Sequence, residues 1–209
     1  MRSPNAAEPR GLGAVALVLI AGGLVASVVQ VTRRPDLNLP EHGVSFYALG
    51  YQGFVQSLAI IAVGVGSVAL AAGLRSSLSG QSGGQGGSVC IALWGAAVIV
   101  AGLIPIDPNR PVSFAGMMHD AAGTVANLFL IVGMTLLSPA MTDRSRWGWF
   151  GRITRPLAVV ALVLLVVANL GRPTIPWGIG QRVYLGLLLS WLIAAALALR
   201  RPTTPAVTR

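Results

Sequence analysis

Two carboxylates, a histidine and an amide crowd into one stretch, Ile104 to Asn127, which reads IPIDPNRPVSFAGMMHDAAGTVAN. It leaves one apolar run through Pro105, Asp107 and Pro108, crosses a short polar loop, and enters another apolar run carrying His119, Asp120 and Asn127. Histidine titrates near neutral pH, so His119 has the chemistry of a general base. His42, Asp107, His119 and Asp120 are zinc-type ligands, but neither a His-x3-His nor a Cys-x2-Cys spacing occurs, and no metal or cofactor is expected. Ser45, His119 and Asp107 would make a hydrolytic triad only if the fold united them, since triads are recognised by geometry.

His119, Gly123 and Asn127 are spaced by four, which puts them on one face of a helix with a small residue between two polar ones. Gln30, Gln52, Gln56, Asn169, Gln181 and Arg182 stand at similar depth near the ends of other apolar runs. Polar groups in lipid are costly unless paired or wetted, so these side chains should converge inside a bundle. Two outcomes are open: a hydrogen-bonded clamp between helices, or a polar pocket lined by His42, Asp107, His119, Asn127 and Arg182, with Gln56, Asp120, Asn169 and Gln181 in support. Arg182 has three possible fates: a bidentate pair with Asp107 or Asp120, snorkelling to headgroups, or a site for an anionic lipid phosphate extended by His42, Arg110 and Arg172.

The elements that would position these groups follow from composition. Of 209 residues, 54% are hydrophobic and 10% charged, against roughly 25% charged in soluble domains. The apolar residues gather into blocks long enough to span a bilayer. We expect an all-α bundle of six transmembrane helices over 11–31, 54–74, 89–106, 117–138, 153–170 and 181–199, with tails at 1–10 and 200–209. Arg2 and Arg10 ahead of the first block imitate a signal peptide, but the block is too long and lacks a small-x-small cleavage site, so a retained helix is expected.

Between blocks, residues 32–53 form a loop broken by Pro35, Pro40, Gly43, Gly50 and Gly53, whose Phe46, Tyr47 and Tyr51 suit a membrane boundary. The run SGQSGGQGGS reads as a flexible linker. It is no phosphate loop, because no GK[ST] follows. Pro139 should follow the fourth helix, and Pro156 should sit in the first turn of the fifth. Met141 to Arg155 reads as a basic loop with a belt of Trp147 and Trp149. Gly64 and Gly66 would let a neighbouring helix approach, and Gly22 and Gly23 would do the same. Cys90 is the only cysteine, which excludes an intrachain disulfide.

The net charge of +9 does not point to nucleic acid, since every basic residue is an arginine at a block end or in a tail. Ten arginines fall on the side of the termini and five on the other, which assigns both termini to the cytoplasm and the protein to the cytoplasmic membrane. Asp36, Glu41, Asp107, Asp120 and both histidines then collect on the far side.

Three motifs, HGVSFYALGYQGFVQ at 42–56, GLIPIDP at 102–108 and GMMHDAAGTVANLF at 116–129, together with WGIGQRV at 177–183, resemble the DUF998 family of six-span membrane proteins. The resemblance runs from the first helix to the last and implies a membrane protein of unassigned biochemistry. More distantly, the first loop, the aspartate motif and the following histidine resemble the Frag1/DRAM/Sfk1 group, which implies lipid handling or membrane regulation. The family pattern often reads P-T-D-P where this chain has Pro105-Ile106-Asp107-Pro108, and the missing threonine hydroxyl weighs against catalysis there.

The expected function is therefore non-enzymatic engagement of lipid headgroups or a small polar ligand by an outward-facing pocket. Alternatives are a lipid-modifying enzyme with His119 as general base, and a scaffold recruiting partners through its basic cytoplasmic loop. A transporter is least favoured, because no span carries a mid-depth charge or is plainly broken there. Oligomeric state does not follow from the sequence.

Overall fold

The computed structural model describes residues 7–108, 113–143, 147–171 and 174–201. They form six α-helices: α1 (Ala7–Arg33), α2 (Gly53–Ser77), α3 (Gly84–Leu103), α4 (Phe114–Thr142), α5 (Gly148–Leu170) and α6 (Trp177–Arg200), with a short 3-10 turn at Val44–Ala48 in the first loop. All six are long and apolar enough to cross a membrane. Van der Waals packing of small residues holds such bundles together, since lipid is as apolar as the core.

Each helix packs antiparallel against the next, and α6 closes the ring against α1 and α2. A Cβ on Gly23 would lie 2.6 Å from the Ala59 carbonyl oxygen, and one on Gly66 would lie 2.8 Å from Ile20. These two contacts set the α1–α2 register, as the glycine reading anticipated, although Gly22 faces open space. Gly64 and Gly95 lock α2 to α3, and Gly13 meets Ala196, Leu199 and Arg200 of α6. The last contact brings both ends of the described chain to one end of the bundle. We call this the terminal end, and the opposite one the first-loop end.

The terminal half is a packed core. Leu70, Leu74, Leu137, Met141, Leu192 and Leu199 have no exposed surface. Trp191 donates its indole N–H to Thr154 Oγ1 at 3.0 Å, and the Thr154 hydroxyl in turn donates a hydrogen bond to the Phe150 carbonyl at 2.8 Å. Phe150 stacks on Trp191 with centroids 5.9 Å apart. An indole donor within an apolar span needs such a partner.

Several expected boundaries move. The Gly/Ser/Gln run is not a long linker, because α3 already begins at Gly84. Its glycines serve close packing: a Cβ on Gly83 would strike the Leu136 carbonyl oxygen, and one on Gly87 would meet Leu137. Pro139 lies inside α4 and Pro156 inside α5, rather than after the first and at the start of the second. Helices tolerate this in membranes because neighbouring groups satisfy the freed carbonyls. The basic loop shrinks to 143–147, which puts Arg152 and Arg155 on α5; Arg144 and Arg146 lie outside the described residues. Trp149 is exposed as a belt residue should be, but Trp147 is buried, and so is Tyr47 of the first loop. The sixth helix starts at Trp177, not at Gln181.

Candidate functional site

Towards the first-loop end the six helices part around a cavity of about 890 Å³. Its lining extends from the loops to Val63 on α2, Asn127 on α4 and Leu189 on α6. At 1.5 Å per residue this is a depth of roughly 15–20 Å. The deep wall is apolar, with Val63, Val98, Leu165 and Leu189, and the mouth carries Glu41, Asp107, Asp120 and Arg182. Trp94 marks the lower limit and donates to Ser67 Oγ at 3.0 Å.

The α4 stripe faces this hollow. His119, Gly123 and Asn127 all line it, and a Cβ built on Gly123 meets nothing within 4 Å. Helix α4 starts with a cap: Ser113 Oγ accepts from Gly116 N at 3.1 Å. Asp107 accepts from Ser113 N at 2.8 Å, which ties the aspartate motif to the same helix end. His119 is 6% exposed, and its Nδ1 lies 2.8 Å from the Ile104 carbonyl oxygen. A carbonyl only accepts, so Nδ1 carries the proton and neutral His119 has its lone pair on Nε2. Asn127 is 7% exposed and donates Nδ2 to the Gly123 carbonyl at 2.9 Å, which leaves Oδ1 buried without a partner. Gln56 on α2 bonds Ser27 of α1 at 2.9 Å, and its Oε1 is likewise buried and unpartnered.

Arg182 is a strut. It pairs with neither Asp107 nor Asp120; its Nη1 reaches the carbonyls of Leu39, His42 and Gly178 at 2.9, 2.8 and 2.9 Å. The guanidinium sits 5.6 Å from the centre of the Tyr47 ring. Beside it Gln181 Oε1 accepts from Val44 N at 2.7 Å. The loop's polar backbone must be paired somewhere, and α6 supplies the partners. A Cβ on Gly178 would collide with the Leu39, Pro40 and His42 carbonyls, so this close seat depends on glycine.

Four of the five principal sequence candidates, Asp107, His119, Asn127 and Arg182, thus share one cavity, with Gln56, Asp120, Asn169 and Gln181 on its wall. His42 departs from expectation. Its ring bonds Asn38 O at 3.0 Å and packs edge-on against Phe46, and it gives the site its carbonyl instead of its imidazole. Arg110 and Arg172 lie outside the described residues. Gln30 does reach the start of α2, donating to the Gln52 carbonyl at 3.1 Å. Ser27 and Tyr47 were not foreseen. Ser27 could have been found from its place two turns from the end of an otherwise apolar span. Among the described residues no three His, Cys, Asp or Glu side chains gather to hold a metal ion.

No curated protein and no solved structure matches the chain. A family model of proteins of unknown function, DUF998, matches residues 14–198, nearly the whole bundle and all the residues of the cavity wall. The chain belongs to the DUF998 family of multi-pass membrane proteins.

Proposed function

We propose that this membrane protein holds an amphipathic, lipid-class guest, with its chain in the apolar depth of the cavity and its head among the polar groups of the mouth. One observation carries the reading: the 890 Å³ hollow lies within a span-length bundle, with its charged residues at the mouth and a deeper wall that is mostly apolar, Asn127 being the polar exception. Ligand cavities run to about 300–1,000 Å³, mostly apolar with a few placed polar groups. The protein acts here as a binder, not as a catalyst.

The experiment fills the hollow. Gly123 and Gly186 both line it, and a Cβ on either meets nothing within 4 Å. Gly123→Phe and Gly186→Phe should fold normally yet lose lipid that co-purifies with the wild type in mild detergent, as read by mass spectrometry. Unchanged lipid content in both variants would overturn the proposal.

The excess of arginine at the terminal end supports cytoplasmic termini, with the mouth opening on the opposite side. A phosphatase reporter active only outside the cytoplasm should be silent after Arg201 and active after Asn38. The reverse pattern would invert the assignment.

A second reading has one observation in its favour. His119 keeps its proton on Nδ1 through Ile104, so Nε2 of a cavity-lining residue is free in character to act as a base. A lipid-modifying enzyme of this kind would lose turnover in His119→Ala while keeping its bound guest.

A further inference from the structure

We infer that the groove between α5 and α6 at the terminal end is a second lipid site, separate from the large cavity, and that it seats the phosphate of an anionic phospholipid. The groove is small, about 90 Å³, and is lined by Trp149 and Phe150 of α5 and by Ala194, Leu197, Ala198 and Arg201 at the end of α6. Phe150 and Ala198 are buried beneath it, whereas Trp149, 61% exposed, and Arg201 reach outwards. Arg152 stands three residues beyond Trp149 and is exposed, so it neighbours the indole on α5. One indole therefore has a guanidinium on its own helix and another across the groove.

Charge decides the kind of head group. Among the described residues the terminal end carries six arginines, Arg10, Arg75, Arg152, Arg155, Arg200 and Arg201, against two carboxylates, Glu8 and Asp143. None of the six is ion-paired; the described ion pair, Arg34 with Asp36, lies at the first-loop end. Arg200 packs against Gly13 of α1 and leaves the groove to Arg201. Topology alone collects arginine on one side of a membrane, but it does not call for an apolar cleft beside two of them. Basic pockets between spans are where acidic lipid head groups bind.

Size decides the source of the phosphate. Soluble ligands are held in hollows of about 300–1,000 Å³ that take most of their surface out of water. A lipid needs only a foothold for its head and upper chain, because the rest stays in the bilayer. A tryptophan at head-group level suits that foothold, and its N–H is a donor.

The test uses the full chain in nanodiscs of phosphatidylcholine with a minority of phosphatidylglycerol, one lipid or the other brominated near the head-group end of its chains. Bromine quenches a neighbouring indole, and subtracting the signal of Trp149→Phe isolates that of Trp149. Phosphatidylglycerol should be enriched beside Trp149 by roughly 25-fold, about fivefold from each of Arg152 and Arg201. Arg201→Gln and Arg152→Gln should each remove one such factor, and Arg201→Lys should keep it. Salt above about 0.15 M should weaken the preference. These side chains are exposed, so the variants should fold, as an unchanged melting temperature would show. Arg75→Gln, on a helix that adds nothing to the groove, and Gly123→Phe, which fills the large cavity, should leave the preference unchanged. Equal quenching by the two lipids, a preference that survives Arg201→Gln, or an equal loss in Arg75→Gln would overturn the site. The lipid guest of the large cavity would stand in each case, since it depends on residues at the opposite end.

Discussion

His119 of α4 reaches across to the last turn of α3 and puts its Nδ1 2.8 Å from the carbonyl oxygen of Ile104, the residue that caps that helix. Carbonyls at a helix end have no partner within the helix. One imidazole therefore ends α3, seats the start of α4 and fixes its own tautomer. Clamp and pocket, which the sequence left as alternatives, are in this residue the same arrangement. His119→Leu should lower stability by about 1 kcal/mol, the typical worth of one such bond in a membrane bundle. His119→Asn, which retains a donor, should restore part of the loss. Denaturation in mixed micelles measures both.

Gly64 and Gly95 predict a contrast between glycines that pack and glycines that do not. A Cβ on Gly64 would stand 2.7 Å from the Gly95 carbonyl oxygen, and one on Gly95 2.6 Å from that of Gly64. Either helix must move to admit a methyl group, at a cost of about 1–3 kcal/mol. Gly123→Ala and Gly186→Ala meet no atom and gain helix propensity, roughly 0.5–1 kcal/mol. The sign of the shift in melting temperature should therefore differ between the two pairs.

Thr154 relays Trp191 to the backbone of α5 in the packed half. Thr154→Val keeps the shape and leaves a buried indole N–H without an acceptor, at a cost of about 1–3 kcal/mol. Thr154→Ser should be nearly neutral. An equal loss in both variants would mean that the methyl group, not the hydroxyl, matters there.

Arg34 gives the first loop a dependence on acid. Its Nη1 donates to the Leu49 carbonyl at 2.6 Å, and its Nε and Nη2 reach Asp36 at 2.9 and 2.8 Å. The hydrogen bonds from Arg34 hold the Asp36 carboxyl below the usual carboxylate range. A depressed folded-state value means that the contribution is complete at neutral pH and disappears as the pH falls through that value. Amide exchange in the first loop should accelerate under acid in the wild type. In Asp36→Asn it should be faster at neutral pH and lose that acid dependence. The pair is exposed to water, so the effect should also shrink as salt is raised.

Six spans, their order and the polar stripe on α4 were legible in the chain, because each depends on periodicity and composition within one segment. Hydrophobic blocks of bilayer length report themselves, and the i, i+4, i+8 spacing of His119, Gly123 and Asn127 places them on one face whatever they meet. The extra turns at helix ends were not legible. Gly84 to Ser88 looks like linker in isolation and becomes helix because Leu136 and Leu137 press against it. Proline at 139 and 156 suggests helix ends locally, yet both helices continue through it.

What the tertiary structure alone decided is which groups share a partner and which are left over. Arg182 could have met a carboxylate; the fold brings it the carbonyls of residues about 140 positions away in sequence. His42 has the same chemistry wherever it stands, and the path of the first loop seats its ring against Asn38 and Phe46 and presents its carbonyl to Arg182. The cavity itself is lined from all six helices and the first loop together. Its volume is a difference between packing distances, and that quantity belongs to no single segment.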